Sequence, residues 1–112
     1  MISGFSSQSY VFDSRPSYNL VSVVKKFWKP DSSNSHDPDA LTLIFSHGTS
    51  FHKEQWEPLI DDLLKRIEKG GQKVKIREIW TIDCPNHGEA AVVNEEALFN
   101  GYRNKDTCRF SV

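Results

Sequence analysis

Two short stretches hold most of the residues able to do chemistry: Phe45-Ser46-His47-Gly48-Thr49-Ser50-Phe51-His52 and Asp83-Cys84-Pro85-Asn86-His87-Gly88-Glu89. Histidines near a cysteine and carboxylates suggest a metal first. His47 and His52 are five positions apart, however, with no Cys or Glu at a recognised zinc-ligand interval, so no metal site is expected. Gly48-Thr49-Ser50-Phe51-His52 has the form G-x-S-x-H, close to a nucleophile elbow. That strained turn needs small residues two positions either side of its serine, and His52 breaks the requirement, so Ser50 is not expected to be a nucleophile. Gly4-Phe5-Ser6-Ser7-Gln8 fails too, because no strand precedes it. Cys84 lacks an adjacent base in the sequence and reads as a buried or half-buried free cysteine. His36, in a polar run, reads as solvated.

Both stretches end apolar runs. Leu41-Thr42-Leu43-Ile44-Phe45 is nearly continuous in apolar residues, which suits a strand buried on both faces. From Glu54 the period changes: Trp56, Leu59, Ile60, Leu63, Leu64 and Ile67 fall on one stripe of an amphipathic helix expected to face the sheet. Glu54, Glu57, Asp61 and Asp62 sit in its first half and Lys65, Arg66 and Lys69 near its end, which suits the helix dipole. Pro58 falls in the first turn, and Gly70-Gly71 stops the helix. Val74 to Asp83 reads as a second strand, so the spacing predicts a right-handed parallel βαβ unit over 41 to 83.

Ahead of this unit, Tyr10 to Asp13 and Leu20 to Trp28 read as two strands joined by the turn-rich Ser14 to Asn19, expected as an antiparallel pair. Lys29 to Asp39 is a polar, breaker-rich exposed loop, Glu89 to Leu98 a short helix, and Phe99 to Val112 an irregular tail. The expected organisation is one α/β portion over 1 to 98, with an exposed loop at 29 to 40 and a tail at 99 to 112.

Composition narrows the function. Fourteen Lys+Arg against fifteen Asp+Glu give a net charge of -1 with no basic run, which removes any electrostatic reason to expect nucleic acid or an anionic membrane. No apolar run approaches membrane-spanning length. The first residues, Met1 to Gln8, lack the basic and apolar regions of a signal peptide, and two cysteines allow one bridge and no disulfide framework, so a cytoplasmic location is expected.

The two stretches follow the carboxyl ends of two parallel strands, where open α/β sheets place ligands and chemistry. A strand ending in His47-Gly48 before an amphipathic helix, then a strand ending in Asp83-x-Pro85-x-His87-Gly88, resembles the front half of an α/β-hydrolase. Residues 9 to 98 are similar to the fungal toxin-biosynthesis and peroxisomal hydrolase-like branch of that fold. The resemblance implies a partial α/β-hydrolase sheet of order 1-2-4-3, and a cofactor-free parent serine hydrolase acting on small acyl or ester substrates. It assigns the loop after the third strand to the oxyanion hole, with the amide of Thr49 as donor and that of Ser50 second. Such a donor is worth about 3 kcal/mol of transition-state stabilisation. His47, Gly48, Asp83, Pro85, His87 and Gly88 become structural members of their loops.

The chain departs from that family in two respects: it contains no G-x-S-x-G, and Phe99 to Val112 does not continue the family pattern. The family's nucleophile, acid and base all come later than Val112, so no catalytic triad is expected here, and the chain is read as a truncated N-terminal piece. A peroxisomal location suits the parent family, although this C-terminus has no peroxisomal signal. Without the next strand, residues 41 to 45 become an exposed apolar edge, and the second sheet face loses its helices. Self-association through that edge is the second expectation, in which the chain is a non-catalytic interaction module.

Overall fold

The computed structural model describes residues 2, 4 to 13, 15, 20 to 70 and 73 to 99. Four strands, β1 (Ser6–Phe12), β2 (Ser22–Trp28), β3 (Leu41–Ser46) and β4 (Ile76–Ile82), form one sheet of order β1-β2-β4-β3. β1 pairs with β2, and β2 with β4, antiparallel; β3 and β4 run parallel, with an irregularity between Leu41 and Thr42. This is the antiparallel pair followed by a parallel βαβ unit, in the expected order.

β1 begins at Ser6, four residues before the expected start at Tyr10. Serines carry little strand preference of their own, and here the whole length of β2 supplies partners, from Ser6 opposite Trp28 to Phe12 opposite Ser22. The connection at 16 to 19, Gly71 and the tail 100 to 112 lie outside the described residues.

Between β3 and β4 runs α1 (Glu57–Lys69), entered through a 3₁₀ turn over Lys53–Trp56, with Pro58 in its first turn and Gly70 as its C-cap. The apolar stripe is only partly buried. Ile60 is fully enclosed and Trp56 and Leu64 pack beside it, but Leu59 and Leu63 remain 52% and 37% exposed. In their place Glu57 is buried, three residues before Ile60, and its carboxylate takes Lys25 Nζ of β2 at 3.1 Å. That ion pair lies on the buried side of α1, so the contact face is centred on Ile60, with Glu57 and Leu64 flanking it.

The core comprises Ile2, Phe27, Ile60, Ile76 and Ile79, with Phe5, Leu43, Phe45, Trp56 and Leu64 against it. Ile2 belongs to no regular element and was invisible to periodicity. β3 is not buried on both faces: Leu43 and Phe45 pack on the core, whereas Leu41 and Ile44 are 51% and 67% exposed. Its position at the sheet edge explains the difference. On the sheet face carrying Trp28 and Trp80, Lys26 Nζ lies 5.3 and 5.7 Å from the two indole centroids and 3.3 Å from Glu78. Tyr10 stacks against Trp80 at 5.9 Å. A lysine stem thus shields part of an apolar face.

The loop from 29 to 40 includes a 3₁₀ turn over Ser33–His36, capped by the Ser32 hydroxyl, which accepts the Asn34 N–H. After β4 come α2 (Gly88–Val93) and α3 (Glu95–Phe99), broken at Asn94 where one helix was expected.

Candidate functional site

The two loops at the carboxyl ends of β3 and β4 meet. His47 closes β3 and is buried; its Nδ1 lies 2.7 Å from the Gly48 carbonyl and its Nε2 3.0 Å from the Cys84 amide nitrogen. An amide can only donate, so Nε2 accepts and Nδ1 carries the proton. His87 repeats the arrangement in reverse: Nδ1 faces Asn86 Oδ1 at 2.6 Å, and Nε2 accepts the Ser50 N–H at 3.1 Å. The two imidazoles lie 4.9 Å apart. Burial and the neighbouring His47 lower the pKa of His87, against an opposing pull from Asp83.

Residues 48 to 51 make a tight turn, with the Phe51 N–H on the Gly48 carbonyl at 3.2 Å. Ser50 has φ 75°, the one positive value at a non-glycine position among the described residues. Negative φ at the first corner and positive φ at the second is the type II pattern, which normally wants glycine at the second. The amides of Ser50 and Phe51 are both engaged. Among the described residues the Thr49 amide has no hydrogen-bond partner.

Beneath the turn lies a buried ionic knot. Asp83 accepts the Lys53 amide at 2.8 Å, Lys53 Nζ at 3.0 Å and the Glu89 amide at 3.1 Å. Lys53 Nζ also reaches Glu54 at 2.8 Å and Glu89 at 2.9 Å, and its side chain is wholly buried. Desolvation pulls the Lys53 pKa down, but the hydrogen bonds it donates to the three carboxylates outweigh it and the net direction is upward. Gly88, at φ 55°, passes against the Asp83 carboxylate. Pro85 is buried, and its carbonyl accepts Asn94 Nδ2 at 2.9 Å; the same amide group also bonds both the N–H and the carbonyl of Val21. Lys53 and Asn94 were missed from the sequence. Lys53 carries no local mark, and the only sign of Asn94 was an asparagine inside a helical run.

His47, Cys84 and His87 present ligand atoms within 4.8 Å of one another. All four imidazole nitrogens of the two histidines face hydrogen-bond partners. Cys84 is buried but is not a free thiol, contrary to expectation, and so supplies neither ligand nor nucleophile. Ser50 meets His87 through its amide, and among the described residues no base contacts its hydroxyl. His52 and Glu54 pair at the exposed entrance to α1, and His36 stays on the surface. A cavity of 370 Å³ lies elsewhere, against the C-terminal half of α1, and none of the candidate residues lines it.

Sheet order, crossover and paired loops define the N-terminal part of an α/β-hydrolase fold. The peroxisomal α/β-hydrolase Lpx1 of Saccharomyces cerevisiae superimposes on 82% of this chain with a TM-score of 0.57 and 20% identity, over 26% of its own length. By sequence, the chain is similar to the type I acyl-CoA thioesterases mpaH of Penicillium roqueforti and mpaH' of Penicillium brevicompactum. Each is 30% identical over 80 residues, 71% of this chain. The chain spans 18% of the length of these relatives. No protein-family model matches it. The chain is thus an N-terminal α/β-hydrolase-like segment whose relatives include acyl-CoA thioesterases. No helix among the described residues is long and apolar enough to cross a membrane.

Proposed function

We propose that residues 1 to 98 form the oxyanion-loop portion of a serine hydrolase acting on acyl esters or thioesters, without a cofactor, and that the Thr49 amide is its donor. The observation that carries this reading is the unpartnered Thr49 N–H at the corner of a tight turn, beyond the carboxyl end of a parallel strand. The thioesterase relatives support the acyl substrate class. Ser50, the second donor expected, gives its N–H to His87 instead. His47, Gly48, Asp83, Pro85, His87 and Gly88 hold the loops. This chain by itself performs no hydrolysis in this reading, because nucleophile, base and acid must lie within hydrogen-bond reach of one another. A cytoplasmic location goes with it.

Thr49→Pro tests the donor. Proline removes the N–H, yet its fixed φ suits the first corner of this turn. In ¹⁵N-edited spectra the Thr49 amide should shift on titration with acetate, a carboxylate probe for the oxyanion. The Thr49→Pro chain should remain folded, with the acetate response of Gly48 and Ser50 gone. No response in the unaltered chain overturns the reading, and ester turnover abolished by Ser50→Ala would make Ser50 the nucleophile after all.

The exposure of Leu41 and Ile44 on β3 favours a second reading, a non-catalytic module that pairs through this edge with another copy of the chain.

A further inference from the structure

The turn from 48 to 51 is closed by the Phe51 N–H on the Gly48 carbonyl and is also held from outside. Ser50 lies in a region of backbone space that side chains with a Cβ avoid, and such a residue persists only where its surroundings impose it. The constraint visible here comes from the other loop: His87 Nε2, 37 residues further along, accepts the Ser50 N–H at 3.1 Å. His87 is itself aimed. Its Nδ1 faces Asn86 Oδ1, its ring rests near that of His47, and the glycine after it is pressed against Asp83.

We propose that His87 is the positioning residue of the oxyanion turn: its neutral imidazole holds the Ser50 amide and leaves the Thr49 amide as the one donor offered to a substrate carbonyl oxygen. The proposal rests on the reading of Thr49 above and deepens it by naming what sets the number and direction of the donors. Protonated, Nε2 would carry hydrogen and face the Ser50 N–H, so it could no longer accept. The charged and titratable groups facing His87 are His47, from the loop after β3, and Asp83, from its own loop; Asn86 supplies the polar contact at Nδ1. The ordinary downward effect of burial and His47 keeps the accepting form in place at neutral pH.

Amide hydrogen exchange on the full chain, corrected for intrinsic rates, tests this. His87→Ala should lower the protection of the Ser50 amide about tenfold, the scale of one hydrogen bond. His87→Gln should keep it, since the Gln oxygen accepts, and should abolish the loss of protection that the unaltered chain shows between pH 7 and pH 5. In a Ser50→Gly background, where the turn needs no brace, His87→Ala should free the residue-50 amide yet leave the chemical shifts of the turn backbone at 48, 49 and 51 unchanged. The proposal is overturned if His87→Ala leaves Ser50 exchange unaltered, or if it shifts the turn backbone signals at 48, 49 and 51 as much in the Ser50→Gly chain as in the original. Should His87→Ala not fold, the pH series on His87→Gln decides alone: a pH dependence equal to that of the unaltered chain overturns the proposal. The acetate titration is read separately. Coupling between 87 and 50 without an acetate shift at Thr49 sinks the oxyanion reading and keeps the brace, whereas an acetate shift without coupling does the reverse.

Discussion

A methyl group on Gly88 would stand 2.7 Å from both carboxylate oxygens of Asp83. No side chain fits there unless the carboxylate moves, and that carboxylate holds the Lys53 amide, the Lys53 ammonium and the Glu89 amide. Gly88→Ala also places a Cβ at φ 55°. Left-handed strain of about 1–2 kcal/mol and a forced shift of about 1–3 kcal/mol should together remove about 2–5 kcal/mol of stability, read as a lower urea midpoint with an unchanged slope.

Lys53→Met should be costlier still. Removing the ammonium leaves Asp83 buried without its counter-charge, and breaking a buried pair from one side loses about 3–5 kcal/mol. Adding Asp83→Asn to Lys53→Met should return part of that loss, and denaturant melts of the three variants measure the coupling. Because the folded pKa of Lys53 is raised above the ordinary 10.5, its contribution is complete below that value and fades only as pH climbs through the folded pKa. A melt series from pH 7 to pH 10 should therefore show no loss attributable to this lysine.

His87 has the opposite sign. Its folded pKa lies below the ordinary 6.5, so the unfolded chain binds the proton more readily. The stability it contributes is present above about pH 6.5 and is lost as pH falls through the folded pKa. The melting temperature should fall with acidification in the original chain, and the slope should flatten in His87→Gln.

At the sheet edge, Ile44→Lys should raise solubility and shift sedimentation toward monomer if β3 drives association, at little cost to folding, since Ile44 is mostly exposed. Leu43→Lys is the poorer probe because Leu43 packs against the core. A chain that already sediments as a monomer at high micromolar concentration would remove the edge-pairing reading.

What the residues disclosed depended on whether their signal was local. The period of 56 to 67 and the breakers at 70 and 84 to 88 yielded the crossover, because a helix stripe and a strand end are written in neighbouring positions. The rotation of α1 was illegible, since it rests on a contact between Glu57 and Lys25, 32 residues apart. Asn94 was equally hidden: its amide binds Val21, 73 residues earlier, and nothing beside it in the chain marks that partner. Within the site, His47-Gly48 and His87-Gly88 stood out as motifs. The direction of each imidazole, and the burial of Lys53, emerged only once the two loops were brought together.

Three of the hydrogen bonds joining those loops, His47 to Cys84, Ser50 to His87 and Lys53 to Asp83, span 37, 37 and 30 residues. Each bond closes the loop of the crossover, so the turn from 48 to 51 is expected to form late in folding, after the loop-closure entropy of the crossover has been met. During synthesis Ser50 leaves the ribosome well before His87 does, and in that interval its left-handed backbone has no brace. The direction of the turn amides thus depends on the parallel pairing of two strands as well as on the local sequence of the turn. Slowing the docking of β4 should delay the appearance of the turn by the same factor.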